Sequence, residues 1–172
     1  MNARMTDELL QNARRYAETF AAPSLSGKPA LRVAVVACMD ARLDPRGLLG
    51  LRDGDAHVIR NAGGVVTPDV IRSLTISQRL LGTGEIVLVH HTRCGMLAIT
   101  DDEFREQLRA QTGVEPDWEP GAFGSLEQSV RESAARIVAS PFISHKDSIR
   151  GFVFQVETGA LREIPLPQLI GR

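Results

Sequence analysis

The residues of this chain best suited to chemistry fall in two short segments, Cys38-Met39-Asp40-Ala41-Arg42 and His91-Thr92-Arg93-Cys94-Gly95. Each follows an apolar run of strand length. A strand leaving into a tight turn can aim residues three apart at one point, so His91 and Cys94 can share a metal ion. Cys38 would reach the same point from a neighbouring strand end. Two thiolates and an imidazole suit Zn2+, with tetrahedral geometry and one coordination position left over. Three protein ligands and an open position are the arrangement of a catalytic zinc rather than a structural one. Taken alone, each cysteine reads as a small buried hydrophobe; the neighbouring residues favour metal.

Asp40 lies two residues beyond Cys38, close enough to bind the metal itself or to accept a hydrogen bond from a zinc-bound water. Arg42 can pair with that carboxylate through two parallel hydrogen bonds and hold it off the metal. A surface ion pair beside a turn would look the same in sequence and contribute little, but a carboxylate next to a ligand favours the functional role. Two thiolates already neutralise the charge of zinc. The ion should therefore acidify its water less than a three-histidine site does, where the pKa falls to about 7. Activity is then expected to fall toward mildly acidic pH unless neighbouring donors compensate.

Bulk properties narrow the class. The chain has 172 residues, enough for one domain with a sizeable core, and a formal net charge of -1. Acidic and basic residues interleave, which argues against a nucleic-acid partner. The longest apolar stretches, Val33 to Ala37 and Ile86 to Val89, are far too short to span a bilayer. Met1 to Thr6 is polar and leads into an amphipathic helix, so no membrane partner and a cytoplasmic location are expected. The two cysteines, far apart in sequence, fit metal or catalytic use in that compartment better than a disulfide.

The elements that must position these residues alternate. A helix is expected over residues 7–20, capped by Thr6, with Leu9, Ala13, Tyr16 and Phe20 on one face; Ala22 to Pro29 connects it to the rest. Such a tethered helix can pack on a neighbouring subunit or on its own domain. Leu31 to Ala37, Ala56 to Arg60 and Glu85 to His90 read as buried parallel strands. Thr67 and Pro68 open a helix whose inner face is Val70, Leu74, Ser77 and Leu81, with Gly82 and Gly84 ending it. Thr100 to Glu103 is a capping box opening a helix to about Gln111, and Ser125 starts another with Leu126, Val130, Ala134 and Ile137 inward. The loop from Thr112 to Gly124 carries Trp118, the only tryptophan, expected to cover the core. Arg150 to Val156 and Leu161 to Ile164 flank a Glu157-Thr158-Gly159 turn and suggest a terminal hairpin. The fold class is therefore α/β: a single domain over residues 1–172, with a mainly parallel central sheet flanked by helices. Residues 1–29 are the N-terminal helical arm and connector, and residues 30–172 the core. Ligands of such sheets gather at the carboxyl ends of the strands.

Cys38-Met39-Asp40-Ala41-Arg42 paired with His91-Thr92-Arg93-Cys94-Gly95 resembles the zinc site of the β-class carbonic anhydrases. The similarity runs through Val58-Ile59-Arg60-Asn61-Ala62-Gly63-Gly64 to the hairpin around Gly151-Phe152-Val153-Phe154, covers most of the chain from about residue 30, and is to the short-chain branch of the class. The resemblance implies zinc held by Cys38, His91 and Cys94, with Asp40 and Arg42 as a dyad beside the open position. It implies reversible hydration of carbon dioxide to bicarbonate and a proton, by attack of zinc-bound hydroxide. In that family the aspartate either completes the zinc shell or is held away by the arginine, and the enzymes are dimers or higher homo-oligomers. Arg93 stands where short-chain relatives often carry an acidic residue, and is expected to point to solvent.

Gly63-Gly64 would let backbone approach the pocket, as well as meeting a need for positive φ, and Val65 and Val66 could supply a weakly polar surface for carbon dioxide. His57, His90 and His145 are candidate proton relays, but none is assigned; His90 is expected to point into the core and His145 to lie on the surface. Competing readings are a carbonyl sulfide or carbon disulfide hydrolase on the same scaffold and a non-catalytic zinc-binding regulatory protein. A nucleotide-binding domain fits poorly, because Asn61-Ala62-Gly63-Gly64 lacks the glycine spacing of a phosphate loop.

Overall fold

A computed structural model describes residues 4–21 and 24–167. Met1, and Ala22 and Pro23 of the expected connector, lie outside the described residues. Five strands form one sheet: β1 (Val33–Cys38), β2 (Ala56–Asn61), β3 (Glu85–His91), β4 (Ile149–Phe154) and β5 (Leu161–Ile164), in the order β2-β1-β3-β4-β5. The first four are mutually parallel and β5 returns antiparallel to β4, as the expected hairpin. Among the described residues, five α-helices accompany them: α1 (Met5–Thr19), α2 (Pro45–Leu49), α3 (Pro68–Arg79), α4 (Asp101–Thr112) and α5 (Leu126–Ala139).

The alternation of side chains along β1 and β3 divides the core into two layers. Ala34 and Val36 of β1, with Ile86 and Leu88 of β3, pack beneath Val70 and Leu74 of α3 and Ala134 and Ile137 of α5. Val35, Ala37 and Val89 face the other way, toward Leu43 and the α2 residues Leu48 and Leu49. β1 is flanked by β2 on one side and β3 on the other, with the chain crossing over between them. The gap between the carboxyl ends of β1 and β3 is thus a topological switch point, the place where open α/β sheets bind ligands.

Most starts and stops are as the local chemistry dictates. Thr67 and Ser125 cap α3 and α5, and Thr100 forms a reciprocal capping box with Glu103. Two expectations at the ends of elements are corrected. α1 begins two residues earlier than Thr6 predicts, with Arg4 at its cap donating its backbone N–H to Asp7 Oδ2 at 3.1 Å. Trp118 does not cover the core; it is 53% exposed. The helix α2 was not expected, although Asp44 accepts from the backbone N–H groups of Arg46 and Gly47 and Pro45 occupies the first helical position. No residue of α1 is buried, and Met5, Leu9, Leu10, Tyr16 and Phe20 are all exposed. Among the described residues, no helix is long and apolar enough to cross a membrane.

Candidate metal centre

Cys38 is the last residue of β1 and His91 the last of β3, so adjacent parallel strands deliver both to the switch point. Cys94 follows a tight turn in which Arg93 takes a left-handed φ of 53°. That turn folds the chain back and returns Cys94 to the same point. The three ligand atoms lie within 4.8 Å of one another, and Cys38 Sγ and Cys94 Sγ are 4.0 Å apart. Tetrahedral zinc with Zn–S bonds of about 2.3 Å would place two sulfurs roughly 3.8 Å apart, and a disulfide about 2.05 Å. The observed separation suits the metal.

The imidazole passes a second test. His91 is fully buried, and its Nδ1 lies 2.8 Å from the Thr92 carbonyl oxygen. That carbonyl can only accept, so Nδ1 carries the proton and the lone pair of Nε2 is free. Nε2 is buried without a hydrogen-bond partner. An unpartnered buried acceptor is costly unless something coordinates it, and here it faces two sulfurs. These residues fit a zinc ion.

Their mutual electrostatics agree. The hydrogen bond between the thiols pulls Cys38 below and pushes Cys94 above the usual thiol value, burial adding to the rise at Cys94. Burial disfavours the His91 imidazolium, but its contacts with Cys38 and the Thr92 carbonyl, and the charges of Cys38 and Asp40, outweigh burial and raise it. Metal binding would release the protons that Cys38 and Cys94 share in this pocket and leave both as thiolates.

Asp40 stands beside this pocket, its Oδ2 3.7 Å from His91 Nε2. Arg42 Nε donates to Asp40 Oδ1 at 2.9 Å and Arg42 Nη2 to Oδ2 at 2.8 Å, the two parallel bonds expected, while the Arg42 backbone N–H adds a third at 2.9 Å. These bonds hold the Asp40 carboxyl well below the usual carboxylate range. Arg42 Nη2 is itself anchored on the Arg93 carbonyl at 3.1 Å. The Arg93 side chain is 71% exposed, as expected, and pairs with Glu157 at 2.9 Å.

Three features of the site were missed in sequence. Arg60, on β2, donates to the carbonyls of Cys38, Asp40 and Leu43, at 2.8 to 3.0 Å, and so clamps the whole loop carrying the cysteine and the dyad. Its only signal was an arginine closing a strand beside β1. Glu157 of the hairpin turn accepts from Thr92 Oγ1 at 2.6 Å and so ties the turn carrying His91 to the C-terminal hairpin. Met96 and Phe123, rather than Val66, pack with Val65 around Gly63, and both also pack against the cluster containing the two cysteines. Val66 belongs to the layer under α3 and α5.

His90 and His91 illustrate strand alternation at its sharpest. Pointing to the opposite face, His90 is buried under α5 with Nε2 3.0 Å from Ser129 Oγ, and burial lowers its pKa to about 4. It points into the core as expected. His145 is exposed, and His57 lies between Ser77 Oγ and the Gly27 carbonyl.

Gly64 serves both roles foreseen for the glycine pair. Its φ is 68°, and a Cβ there would lie 2.7 Å from the Cys38 backbone nitrogen and 2.9 Å from the Ala37 carbonyl carbon. Neither neighbour is a flexible side chain that can move away. Gly64→Ala is expected to lower stability by about 3–5 kcal/mol in urea denaturation. Gly82→Ala, at φ 78° with nothing within 4 Å, is expected to cost only about 1 kcal/mol.

The sheet order, the switch-point site and the Cys–His–Cys cluster define a class: α/β proteins with a candidate metal centre where adjacent parallel strands end. The carbonic anhydrase family profile matches residues 33–118. The chain is 53% identical over 160 residues to beta-carbonic anhydrase 1 of Mycobacterium tuberculosis, covering 93% of this chain and 98% of that one. The crystal structure of carbonic anhydrase from Streptococcus mutans superimposes with a TM-score of 0.89 at 44% identity, covering 96% of this chain and 100% of that one. A carbon disulfide hydrolase of Acidithiobacillus thiooxidans is 39% identical over 151 residues, with 76% of each chain covered. The chain belongs to the β-carbonic anhydrase family.

Proposed function

We propose that this protein catalyses the zinc-dependent, reversible hydration of carbon dioxide, with Cys38, His91 and Cys94 as metal ligands and Asp40 and Arg42 beside the remaining coordination position. The observation that carries this reading is the buried, unpartnered Nε2 of His91 facing two sulfurs, with a carboxylate 3.7 Å away. A zinc ion held there would act as a Lewis acid and make water a nucleophile near neutral pH.

The chain's own residues do the rest. Asp40, ionised by its arginine, accepts a hydrogen bond from the attacking water and fixes its direction. Arg42 keeps that carboxylate turned away from the ligand atoms, so the open position stays free for substrate. Arg60 holds the loop that carries both. Met96, Phe123 and Val65 offer an apolar surface to carbon dioxide, which has no charge to steer it. The product proton passes to buffer, since His90 is held neutral in the core on the far face of the sheet.

Metal analysis followed by stopped-flow carbon dioxide hydration on the same sample tests the reading. About one zinc per chain with measurable hydration supports it; carefully prepared protein without metal, or zinc-loaded protein without hydration, overturns it. Carbon disulfide and carbonyl sulfide belong in the same assay, because relatives at 39% and 40% identity are carbon disulfide hydrolases. A purely regulatory zinc protein would show no turnover with any of the three substrates.

The working form is a homodimer or a larger homo-oligomer in the cytoplasm, its α1 arm packed on a neighbouring subunit. The apolar face of α1, left uncovered by the described residues of its own chain, supports this arrangement. Deleting residues 1–20 is expected to lower the number of chains per particle seen by light scattering coupled to gel filtration; an unchanged number would place the arm outside the interface.

A further inference from the structure

We infer that Cys38 and Cys94 are also an oxidation site, which a small peroxide converts to an intramolecular disulfide in competition with zinc. The two Sγ atoms are 4.0 Å apart and the chain has no other cysteine, so each thiol has one protein partner and it is already in contact. Disulfide formation needs the sulfurs to approach by about 2 Å. Cys38 cannot supply that movement: its backbone is pinned by the Arg60 guanidinium and by Gly64 packed against it. Cys94 can. It lies in a turn outside the sheet, held on one side through the Arg93 carbonyl and followed on the other by Gly95, where an added Cβ would meet nothing within 4 Å.

Burial selects the oxidant. Cys38 is 4% and Cys94 5% exposed, which favours a small oxidant, and hydrogen peroxide is little larger than the water the site must admit. One thiolate attacks a peroxide oxygen, giving a sulfenic acid and, after protonation, one water. The second thiol then attacks that sulfur and displaces the hydroxyl as a second water. Both electrons come from the two sulfurs, and peroxide is the acceptor. The disulfide removes two of three ligands, so oxidised protein cannot hold zinc, and bound zinc keeps the sulfurs from meeting. The protection by zinc rests on the proposed metal site; the disulfide itself rests only on the position of the sulfurs.

Zinc-loaded protein treated with hydrogen peroxide beside a chromogenic zinc indicator tests this. Zinc release and thiol loss should proceed in a ratio of one to two. The intact chain should lose the mass of two hydrogens, peptide mapping should join the Cys38 and Cys94 peptides, and dithiothreitol should restore both thiols and zinc binding. Added zinc should slow the reaction several-fold, and Cys94→Ser should gain oxygen at Cys38 instead of forming a bridge. The inference fails if wild-type protein gains oxygen without a bridge, joins chain to chain, or keeps both thiols after zinc has left. If the protein as purified holds no zinc, the metal reading fails while the disulfide arm still reports.

Discussion

Cys38→Ser is expected to reduce carbon dioxide hydration at least about a thousandfold and to leave the chain without stoichiometric zinc. A serine hydroxyl stays protonated near neutral pH, so the substitution removes a thiolate from the set of three and leaves a neutral, harder oxygen. Disturbing an outer partner of a ligand already weakens metal binding by about 10–100-fold; removing a ligand itself exceeds that. The Lewis acid contributes several kcal/mol to the barrier, and each 1.36 kcal/mol is tenfold in rate. Stability should follow the metal. Zinc at a thousand times its dissociation constant adds about 4 kcal/mol to the folded state, so the melting temperature of wild type should rise with added zinc and that of the variant should not. The serine leaves the strand pairing of β1 intact, and circular dichroism should show the same secondary structure. Wild-type hydration unchanged by Cys38→Ser would refute the ligand assignment.

How far the sequence reveals this protein depends on the range of the interactions involved. Local chemistry was legible: the Thr67-Pro68 start of α3, the Thr100–Glu103 box and the hairpin around Glu157 all depend on residues within one turn of each other. The cluster itself was legible because strand ends adjoin in a parallel sheet, and its members are chemically rare. What stayed hidden depends on contacts across the fold. Arg60 looks like any strand arginine until the loop of residues 38–43 is laid over it. Val66 seemed to face the pocket because its neighbour Val65 lies beside it, yet the chain turns after Gly64 and sends Val66 into the opposite layer. Trp118 misled for another reason: a large apolar ring in a loop can cover the core, but here the loop carries it outward. The helix α2 could have been found, since Asp44, Pro45 and Gly50 punctuate it, but five residues are too few to show a period.

Asp40→Asn should separate a catalytic zinc from a structural one, retaining the metal while lowering kcat/KM about a hundredfold. The amide keeps the shape of the carboxylate but offers one acceptor oxygen where Arg42 needs two, and turns an NH2 group toward a guanidinium that can only donate. The orientation held by two parallel charge-assisted bonds is lost, together with the anion that would direct the attacking water. Arg42→Leu approaches the same result from the other side. The Asp40 carboxylate lies 3.7 Å from His91 Nε2 even while paired; released from the arginine it can take the open position, so this variant should hold zinc at least as tightly as wild type and hydrate carbon dioxide slowly. In the double variant the second change should add little to the first, because one dyad has been broken twice. The pH profile supplies the sign. Hydrogen bonds from Arg42 hold Asp40 below the ordinary carboxylate range; a carboxyl with a depressed pKa stays ionised down to acid pH, so Asp40 is not the group whose protonation ends activity as pH falls. The acidic limb should therefore keep its midpoint in Asp40→Asn while the plateau drops. A limb that vanishes with the carboxylate would mean that Asp40 itself titrates in the working range, and that Arg42 does not hold it in the way the two parallel hydrogen bonds require.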